Sequence, residues 1–204
     1  MMRTLLLTGF EPFGGDSLNP SWEVARALSG EVVGSLRIES LQLPCVFAQA
    51  PQVLQAALTR LSPDAVLCLG QAEGRSDVTP ERVAINIMQA RIPDNTGAQP
   101  QEEAVVPEGP AAYFTGLPLA RIVQRLRELE IPASISNTAG TFVCNQVFYA
   151  LQHSWGGHGR HSGFVHLPCL PEQAAGMTMT PPCPSLPLEM QVRAVREIVA
   201  MLAV

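Results

Sequence analysis

Residues 3–30 read RTLLLTGFEPFGGDSLNPSWEVARALSG and contain the first structural unit of the chain. The first six of them form a short apolar run that stops at Gly9, which is typical of a buried strand. The loop EPFGGDSLNP follows. It ends in Asn19 and Pro20, the residue types favoured at a helix N-cap and at the first helical position. The stretch therefore predicts a strand, a loop and a helix in succession.

The same alternation continues to the end of the chain. The apolar patterns predict further strands at residues 35–43, 65–69, 82–88, 133–136 and 164–167, and further helices at residues 47–61, 117–130, 138–152 and 188–202. Glycine, proline and polar residues predict loops at residues 91–116, 156–163 and 177–187. Strands that alternate with helices favour an α/β fold, in which a mainly parallel sheet is covered on both faces.

Length and composition limit the classes of function. The chain has 204 residues without a repeat or a linker, which predicts a single domain over residues 1–204. Hydrophobic residues make up 47% of the chain and charged residues 15%, which excludes a disordered protein. Because the net charge is −5 and no basic stripe is present, we expect no nucleic-acid partner.

The cysteines and the N-terminal sequence indicate a location. Five cysteines without close spacing do not resemble the disulfide framework of a secreted protein, and they favour a reducing compartment. The N-terminal sequence lacks the apolar segment and the cleavage site of a signal peptide. No apolar run approaches the roughly 18 residues of a membrane span. We therefore expect a cytoplasmic protein with no membrane partner.

One cysteine stands at the start of a predicted helix. In TAGTFVCNQVFYALQ, residues 138–152, Cys144 lies in the first turn, and Thr141 is predicted to cap that turn. The unpaired N–H groups of a helix start favour a negative charge, so this thiol is expected to ionise easily. The alternative is a cysteine that only fills the core, as buried cysteines commonly do.

A catalytic cysteine needs a base and a group that orients the base. His166 stands at the C-terminal end of the strand in FVHLP, where the ligands of parallel sheets bind, and Glu81 stands at the mouth of a strand in DVTPERVAIN. His153 lies about two helical turns from Cys144 and is too far away. The alternatives are a structural strand histidine and an exposed carboxylate beside Arg82.

Two other kinds of site are weaker candidates. His158, His161, His166 and Cys169 lie close together in the sequence, but their spacing matches no common zinc pattern, and the first two are expected to be solvated loop residues. The loop GFEPFGG suggests a phosphate cradle, but it lacks both the dinucleotide-binding and the Walker spacing. No metal and no cofactor are therefore expected.

Six groups of motifs occur in one order along nearly the whole chain. They are TGFEPFGG with NPSWE, VTPERVAIN, ARIPDNTG, EGPAAYFTGLP, SNTAGTFVCNQVFY and GFVHLPCLPEQ. In this order they resemble the pyroglutamyl peptidase type I family, also called pyrrolidone carboxyl peptidases. The resemblance implies an open α/β/α sandwich, which agrees with the order of the elements, and a homotetramer.

The resemblance also implies an activity, the removal of N-terminal pyroglutamyl residues from peptides. It assigns the nucleophile to Cys144, the base to His166 and the acid to Glu81, with a thioester intermediate and no cofactor. Arg91 and the backbone N–H groups around Cys144 are candidates for binding the oxyanion. The residues implied to bind the pyroglutamyl ring are Phe10, Phe13, Gln71, Ile92, Phe142 and Val143.

The chain departs from the family pattern at two positions near the implied site. Glu73 replaces a glycine in GQAEGR, and Cys45 replaces a Thr or Val in LPCVF. Residues 152–163 and 174–187 match the family poorly. The alternative of a different class is a non-catalytic α/β module that binds small lactam-like ligands. Slow alkylation of Cys144 at neutral pH would favour that module.

Overall fold

The computed structural model describes residues 2–157, 159–178 and 180–203. Its strands are β1 (Arg3–Phe10), β2 (Val32–Val33), β3 (Leu36–Leu43), β4 (Ala65–Gln71), β5 (Thr79–Pro80), β6 (Val83–Ile85), β7 (Ala112–Phe114) and β8 (His161–Leu167). Its helices are α1 (Pro20–Ala27), α2 (Ala50–Leu61), α3 (Leu119–Glu128), α4 (Val143–Ser154), α5 (Pro171–Gly176) and α6 (Leu188–Leu202).

Six strands form the main sheet in the order β2-β3-β1-β4-β8-β5. The four central strands are parallel, and only the short edge strands β2 and β5 run antiparallel to their neighbours. Strands β6 and β7 pair separately as a small antiparallel ribbon. The mainly parallel sheet confirms the fold class expected from the alternation of strands and helices.

Helices cover both faces of the sheet because successive strand residues point to opposite sides. In β1, Leu5 and Leu7 pack in the core cluster that holds the buried sides of α1, α3 and α6. Leu6, between them, packs in the cluster that holds the buried sides of α2 and α4. The result is an α/β/α sandwich, with apolar clusters on the two faces of the sheet and polar groups at the strand ends.

The first unit of the chain folds as its sequence predicts. Asn19 caps α1, since its side chain accepts a hydrogen bond of 3.0 Å from the backbone N–H of Ser21, and Pro20 is the first helical residue. The Asn19 side chain also donates to the carbonyl of Glu11 at 3.1 Å, which ties the helix start to the loop after β1.

Three expected elements differ from the structure. Residues 133–136 form no strand and contribute only isolated bridges, from Ala133 to Val78 and from Ser136 to Glu81. Strand β8 begins at His161, inside a predicted loop, because parallel pairing with β4 from Ala65 onward extends the strand beyond the apolar residues 164–167.

The expected strand over residues 82–88 is reduced to β6, and helix α5 lies where no helix was predicted. His158 lies outside the described residues.

Among the described residues, no helix combines the length and the apolar character needed to cross a membrane.

Candidate active site

The candidate site lies where β4 and β8 end side by side. Their parallel register pairs Gly70 with His166 and Gln71 with Leu167. Helix α4 begins next to these strand ends, with Cys144 as its second residue. A Cβ atom placed on Gly70 would lie 2.9 Å from Sγ of Cys144. The sulphur therefore lies against Gly70, the strand partner of His166. A larger residue at position 70 would collide with the sulphur.

His166 forms a hydrogen-bonded pair with Glu81. Its Nδ1 lies 2.7 Å from Oε1 of Glu81, and both side chains are almost fully buried. An ionised carboxylate only accepts hydrogen bonds, so Nδ1 carries the proton that is donated to it. Nε2 is then the unprotonated ring nitrogen, available as an acceptor or a base.

The edge strand β5 brings Glu81 to this position. Thr79 pairs with His166 across the sheet, and the backbone N–H of Glu81 donates to the carbonyl of Phe164 at 2.9 Å. The carboxylate consequently leaves the strand beside the imidazole, with its side chain buried. The alternative of an exposed carboxylate beside Arg82 is wrong.

Arg75, which the sequence reasoning did not select, completes a charged cluster with Glu81 and His166. Its Nη1 donates to Oε1 of Glu81 and to Oγ1 of Thr79, each at 2.7 Å, and its Nη2 donates to the carbonyl of Thr138 at 3.0 Å. Oε1 of Glu81 therefore accepts from the imidazole and from the guanidinium, while Oε2 is buried without a hydrogen-bond partner among the described residues.

The ionisation of this cluster follows from burial and charge. Burial alone would raise the pKa of Glu81, but the hydrogen bond and charge of His166, with smaller contributions from Ser136 and then Arg75, outweigh it and hold that pKa below its ordinary value. Burial lowers the pKa of His166 despite the opposing effect of Glu81. The cluster therefore holds an ionised carboxylate and a neutral imidazole near neutral pH.

The Cys144 thiol does not ionise as easily as its place in the helix suggests. Burial raises its pKa well above the usual range, and the Glu81 charge adds to the effect, while Arg75 opposes it. The expected lowering of the thiol pKa is contradicted, because desolvation is the largest influence on it. At rest the site contains a neutral thiol next to a neutral imidazole.

The start of α4 is held by Asn145 and not by a side-chain cap. The predicted cap, Thr141, instead donates to the carbonyl of Gln89 at 2.7 Å, and the N-cap residue is Phe142, which has no polar side-chain atom. The buried Asn145 side chain bonds the N–H and the carbonyl of Ile85 and the carbonyl of Ile87, at 2.9–3.0 Å. The first N–H groups of α4 are thus fixed in place without a side-chain cap.

Comparison with known proteins places this arrangement in a family. A family model described as Pyroglutamyl peptidase matches residues 3–204. The chain belongs to the pyroglutamyl peptidase family. It is 56% identical over 176 residues to the pyrrolidone-carboxylate peptidase of Pseudomonas fluorescens, over 86% of this chain and 83% of that protein. It is 54% identical over 175 residues to that of Escherichia fergusonii, over 85% and 82%.

Solved structures of the pyroglutamyl peptidase family share the fold. Pyroglutamyl peptidase I of Bacillus amyloliquefaciens superimposes with a TM-score of 0.92 at 46% identity, over 98% of this chain and 97% of that one. A variant of the pyrrolidone carboxyl peptidase of Pyrococcus furiosus gives 0.91 at 40% identity, over the same shares. The resemblance read from the motifs is confirmed, and the chain is a cysteine-type peptidase, a hydrolase.

The aromatic residues expected in the pyroglutamyl peptidase pocket fall into two groups. Phe13 and Phe142 are half-buried, with ring centroids 6.1 Å apart, and Phe47, which the sequence reasoning missed, meets Phe142 edge to face at 5.2 Å. Phe10 and Val143 are fully buried in the core cluster of the α2 and α4 side. Phe13 and Phe142 form a partly open apolar wall, whereas Phe47, Phe10 and Val143 pack in the core behind it.

The loops beside this wall are held by acidic side chains. Asp94 accepts from the backbone N–H of Phe47 at 2.9 Å, and Glu11 accepts from the N–H of Cys45 at 3.0 Å and from the side chain of Asn95 at 2.8 Å. These bonds join the loop after β1, the segment before α2 and the ARIPDNTG motif. Ile92 of that motif is half-buried and lies close to Gly14.

Gln71 belongs to a second polar group, the amide cluster, with Asp16 and Gln173. Nε2 of Gln173 donates to Oδ2 of Asp16 at 2.9 Å and to Oε1 of Gln71 at 3.2 Å. Nε2 of Gln71 lies 3.4 Å from the same Asp16 oxygen and 3.5 Å from Sγ of Cys169. The side chain expected to meet the lactam is therefore already bonded to the loop after β1 and to α5.

Three further residues that the sequence singles out are Arg91, Glu73 and Cys45. Arg91 is exposed, and its carbonyl accepts from the side chain of Gln99 at 3.0 Å. Glu73 is exposed, so it points into solvent, whereas Cys45 is buried and burial raises its pKa to about 12. Among the described residues, no group of three or more His, Cys, Asp or Glu side chains is arranged to hold a metal ion.

Most of the residues that the sequence reasoning missed bond to distant parts of the chain, whereas Arg75 bonds Thr79 and Glu81 nearby as well as the distant Thr138. Arg75 follows β4 in the GQAEGR motif, and Asn145 follows the nucleophile in VCN, so both stand in quoted motifs. A signal for Arg75 was its position after the C-terminal end of a buried strand. Asp16 and Gln173 carry no comparable signal, because they meet across 157 residues of chain.

Proposed function

We propose that the protein hydrolyses the bond after an N-terminal pyroglutamyl residue, with Cys144 as nucleophile, His166 as general base and Glu81 as its orienting acid. The observation that supports this most directly is the buried His166–Glu81 hydrogen bond, which leaves Nε2 unprotonated beside the strand end that holds the sulphur. We infer further that residues 1–204 act as one catalytic domain.

The first step transfers a proton and forms a bond between sulphur and carbon. Nε2 of His166 accepts the thiol proton while Sγ of Cys144 attacks the pyroglutamyl carbonyl carbon. Because both groups are neutral at rest, the charge appears only in this step, and the Glu81 carboxylate stabilises the imidazolium as it forms. The carbonyl oxygen becomes an oxyanion.

The start of α4 is the natural place for that oxyanion. Its first N–H groups have no side-chain cap, and Asn145 fixes the turn that carries them. Preorganised donors of this kind stabilise a developing negative charge without reorganising. The exposed Arg91 is the second candidate donor, and it would have to turn toward the site when substrate binds.

The second half of the reaction returns the enzyme to its first state. The imidazolium of His166 protonates the departing amine, which leaves a thioester on Cys144. Water then attacks the thioester carbon as Nε2 accepts its proton, and the sulphur leaves with that proton to give pyroglutamate and the free thiol. No cofactor is required in this sequence.

The pocket for the ring is proposed along Phe13, Phe142 and Ile92, with Phe10 and Val143 behind them. Such walls suit a small lactam without a charged amine, because an ammonium group buried there would carry a large desolvation cost. Gln71 is the proposed polar partner of the lactam, since an amide both donates and accepts.

A cytoplasmic location and a homotetramer complete the proposal. All five cysteines are free thiols, four of them buried, which suits a reducing compartment. Phe114 and Ile87, in and beside the small ribbon, are large exposed apolar side chains of the kind that subunit contacts cover.

The test is the release of a chromogenic amine from a pyroglutamyl amide by the purified protein. Hydrolysis that the Cys144→Ala variant lacks supports the proposal. A wild-type protein without hydrolysis, or a Cys144→Ala variant with near-normal turnover, overturns it.

A further inference from the structure

We propose that Arg75 is a positioning residue for the reaction, a fourth polar member of the site that acts through Glu81 and His166. The proposal rests on the catalytic roles given above to Cys144, His166 and Glu81, and it adds a residue that the triad does not include.

The Arg75 side chain joins three parts of the site. Arg75 bonds Glu81, Thr79 and the carbonyl of Thr138, with distances of 2.7, 2.7 and 3.0 Å. Thr79 is in turn the strand neighbour of His166 and lies 3.3 Å from its carbonyl through Oγ1. The guanidinium thus connects the orienting acid, the strand beside the base and the segment that leads into α4.

The Glu81 carboxylate is held mainly at one of its two oxygens. The hydrogen bonds from Nδ1 of His166 and Nη1 of Arg75 both fall on Oε1, and Oε2 has no partner in hydrogen-bond geometry among the described residues, although Ser136 lies close enough to lower the pKa of the carboxyl. A buried carboxylate held by one oxygen has few bonds that fix its rotation. Without Arg75, Oε1 would keep only the bond from the imidazole, and fewer bonds would fix the rotation of the carboxylate.

The charge of Arg75 acts on each of the three groups given catalytic roles. Glu81 after β5 and Arg75 after β4 are the charged groups that act on His166, and the Cys144 sulphur lies against Gly70, the strand partner of His166. The Arg75 charge lowers the pKa values of Glu81, His166 and Cys144 alike. It therefore favours the ionised acid and the neutral base, which are the forms the reaction needs, and it makes the thiol easier to deprotonate.

A comparison of Arg75→Gln, Arg75→Lys and Arg82→Gln tests the proposal. Lysine keeps the charge but loses the planar fork, whereas glutamine loses the charge. Arg82 is the matched control, because it is next to Glu81 in the sequence but is exposed and donates to Asn137 instead. The measurements are kcat and KM for a pyroglutamyl amide, the pH dependence of kcat/KM and the melting temperature of each variant.

We expect Arg75→Gln to lower kcat by about ten-fold or more, with little change in KM. Loss of a positive charge near the imidazole raises the pKa of His166, so the acid limb of kcat/KM moves to higher pH. Arg75→Lys should keep the acid limb of kcat/KM at its wild-type pH and have a higher kcat than Arg75→Gln. Arg82→Gln should behave as wild type.

Two results overturn the proposal. One is an Arg75→Gln variant with wild-type kcat and an unmoved acid limb. The other is an equal loss of activity and of melting temperature in Arg75→Gln and Arg75→Lys with an unmoved limb, which marks Arg75 as structural only.

A measurement without substrate separates this proposal from the proposed function. The rate of Cys144 alkylation by iodoacetamide, followed by peptide mass spectrometry at a fixed pH, falls several-fold in Arg75→Gln and not in Arg75→Lys or Arg82→Gln. If the wild type does not cleave pyroglutamyl amides, the proposed function fails, and an unchanged alkylation rate in Arg75→Gln separately overturns the role of Arg75.

Discussion

The site contains two polar clusters built in different ways. In the charged cluster, Glu81 binds His166 and Arg75 through bonds of 2.7 Å, and two of its three members are almost fully buried. In the amide cluster, Asp16, Gln71 and Gln173 are joined by bonds of 2.9–3.4 Å. The charged cluster is held at the edge of the main sheet, and the amide cluster joins a loop, a strand end and the short helix α5.

The difference indicates a division of work. Proton transfer requires an imidazole held in one tautomer, and a short bond to a buried carboxylate at a sheet edge provides that constraint. Recognition of a ring requires donors and acceptors that adjust to a ligand, and the longer bonds between a loop, a strand end and α5 leave more of that freedom. We expect damage to the charged cluster to appear in kcat, and damage to the amide cluster to appear in the choice of substrate.

The largest effect is expected where the charged cluster meets the sulphur. Cys144→Ala should lower turnover by at least about 1,000-fold, because no other group supplies the nucleophile. The fold should survive, because alanine removes a single sulphur atom from this side chain, and a melting curve checks this. Cys183→Ala is the control, because this thiol lies in the segment before α6, and it should keep turnover within about two-fold.

The next effect is expected at Glu81. Glu81→Gln should lower kcat by roughly 100-fold or more with a smaller change in KM, since an amide can present a donor to Nδ1 and favour the wrong tautomer. Steady-state kinetics on a pyroglutamyl amide measures both constants. The exposed Glu73→Gln serves as a control and should behave as wild type. A change in KM alone would make Glu81 a binding residue and remove the distinction between the clusters.

The pH dependence sharpens the comparison with a smaller effect. The base works only when neutral, and burial lowers the pKa of His166, so the acid limb of kcat/KM should lie below the ordinary imidazole value of 6.5. The raised pKa of the Cys144 thiol places no thiol titration below pH 9. A pH profile from about 5 to 9 checks both expectations, and an acid limb above 6.5 would contradict the first.

The smallest effect of a substitution is expected in the amide cluster, where it should change the choice of substrate. In the wild type, prolyl amides fit the ring shape but lack the carbonyl, so they should be cleaved more slowly than pyroglutamyl amides by orders of magnitude, as should glutaminyl and glutamyl amides. Gln71→Ala should narrow the gap between pyroglutamyl and prolyl amides, measured as a ratio of kcat/KM values. Gln173→Ala removes a partner of Gln71 but leaves its amide, and should change the ratio less. An unchanged ratio in Gln71→Ala would remove Gln71 from recognition.

The fold could be read from the sequence where apolar periodicity was strong. Helix α6 has its expected bounds, and α1 begins at its expected cap. The errors lie where tertiary contacts decide. Residues 133–136 lack a full partner strand, β8 gains its first residues by pairing with β4, and Thr141 bonds Gln89 in place of the helix start.

The sequence indicated more residues of the charged cluster than of the amide cluster. Long motifs pointed to His166 and Glu81, and the structure brings these side chains together. Arg75 stands in such a motif, but its bond to Glu81 depends on how β5 returns to the sheet. The partners of Gln71 come from distant loops, and local sequence contains no information on them. The ionisation of Cys144 was mispredicted because burial of a side chain cannot be read from helix position.

The state of that thiol also changes how a simple experiment should be interpreted. Slow alkylation of Cys144 at neutral pH was expected to favour a non-catalytic binding module. A thiol whose pKa is raised by burial reacts slowly even when it is a nucleophile in turnover. The alkylation rate alone therefore does not distinguish a binding module from an enzyme, whereas membership of a peptidase family favours the enzyme.

The neutral thiol of Cys144 has a consequence for oxidative damage. Peroxides oxidise thiolates much faster than thiols, first to a sulfenic acid and then irreversibly to higher acids. Because Cys144 holds its proton between turnovers, its sulphur is a poor target until a substrate carbonyl stands in front of it. During catalysis the oxidisable form exists only when the substrate itself covers it, so the enzyme should survive brief peroxide exposure that inactivates peptidases with a resting thiolate.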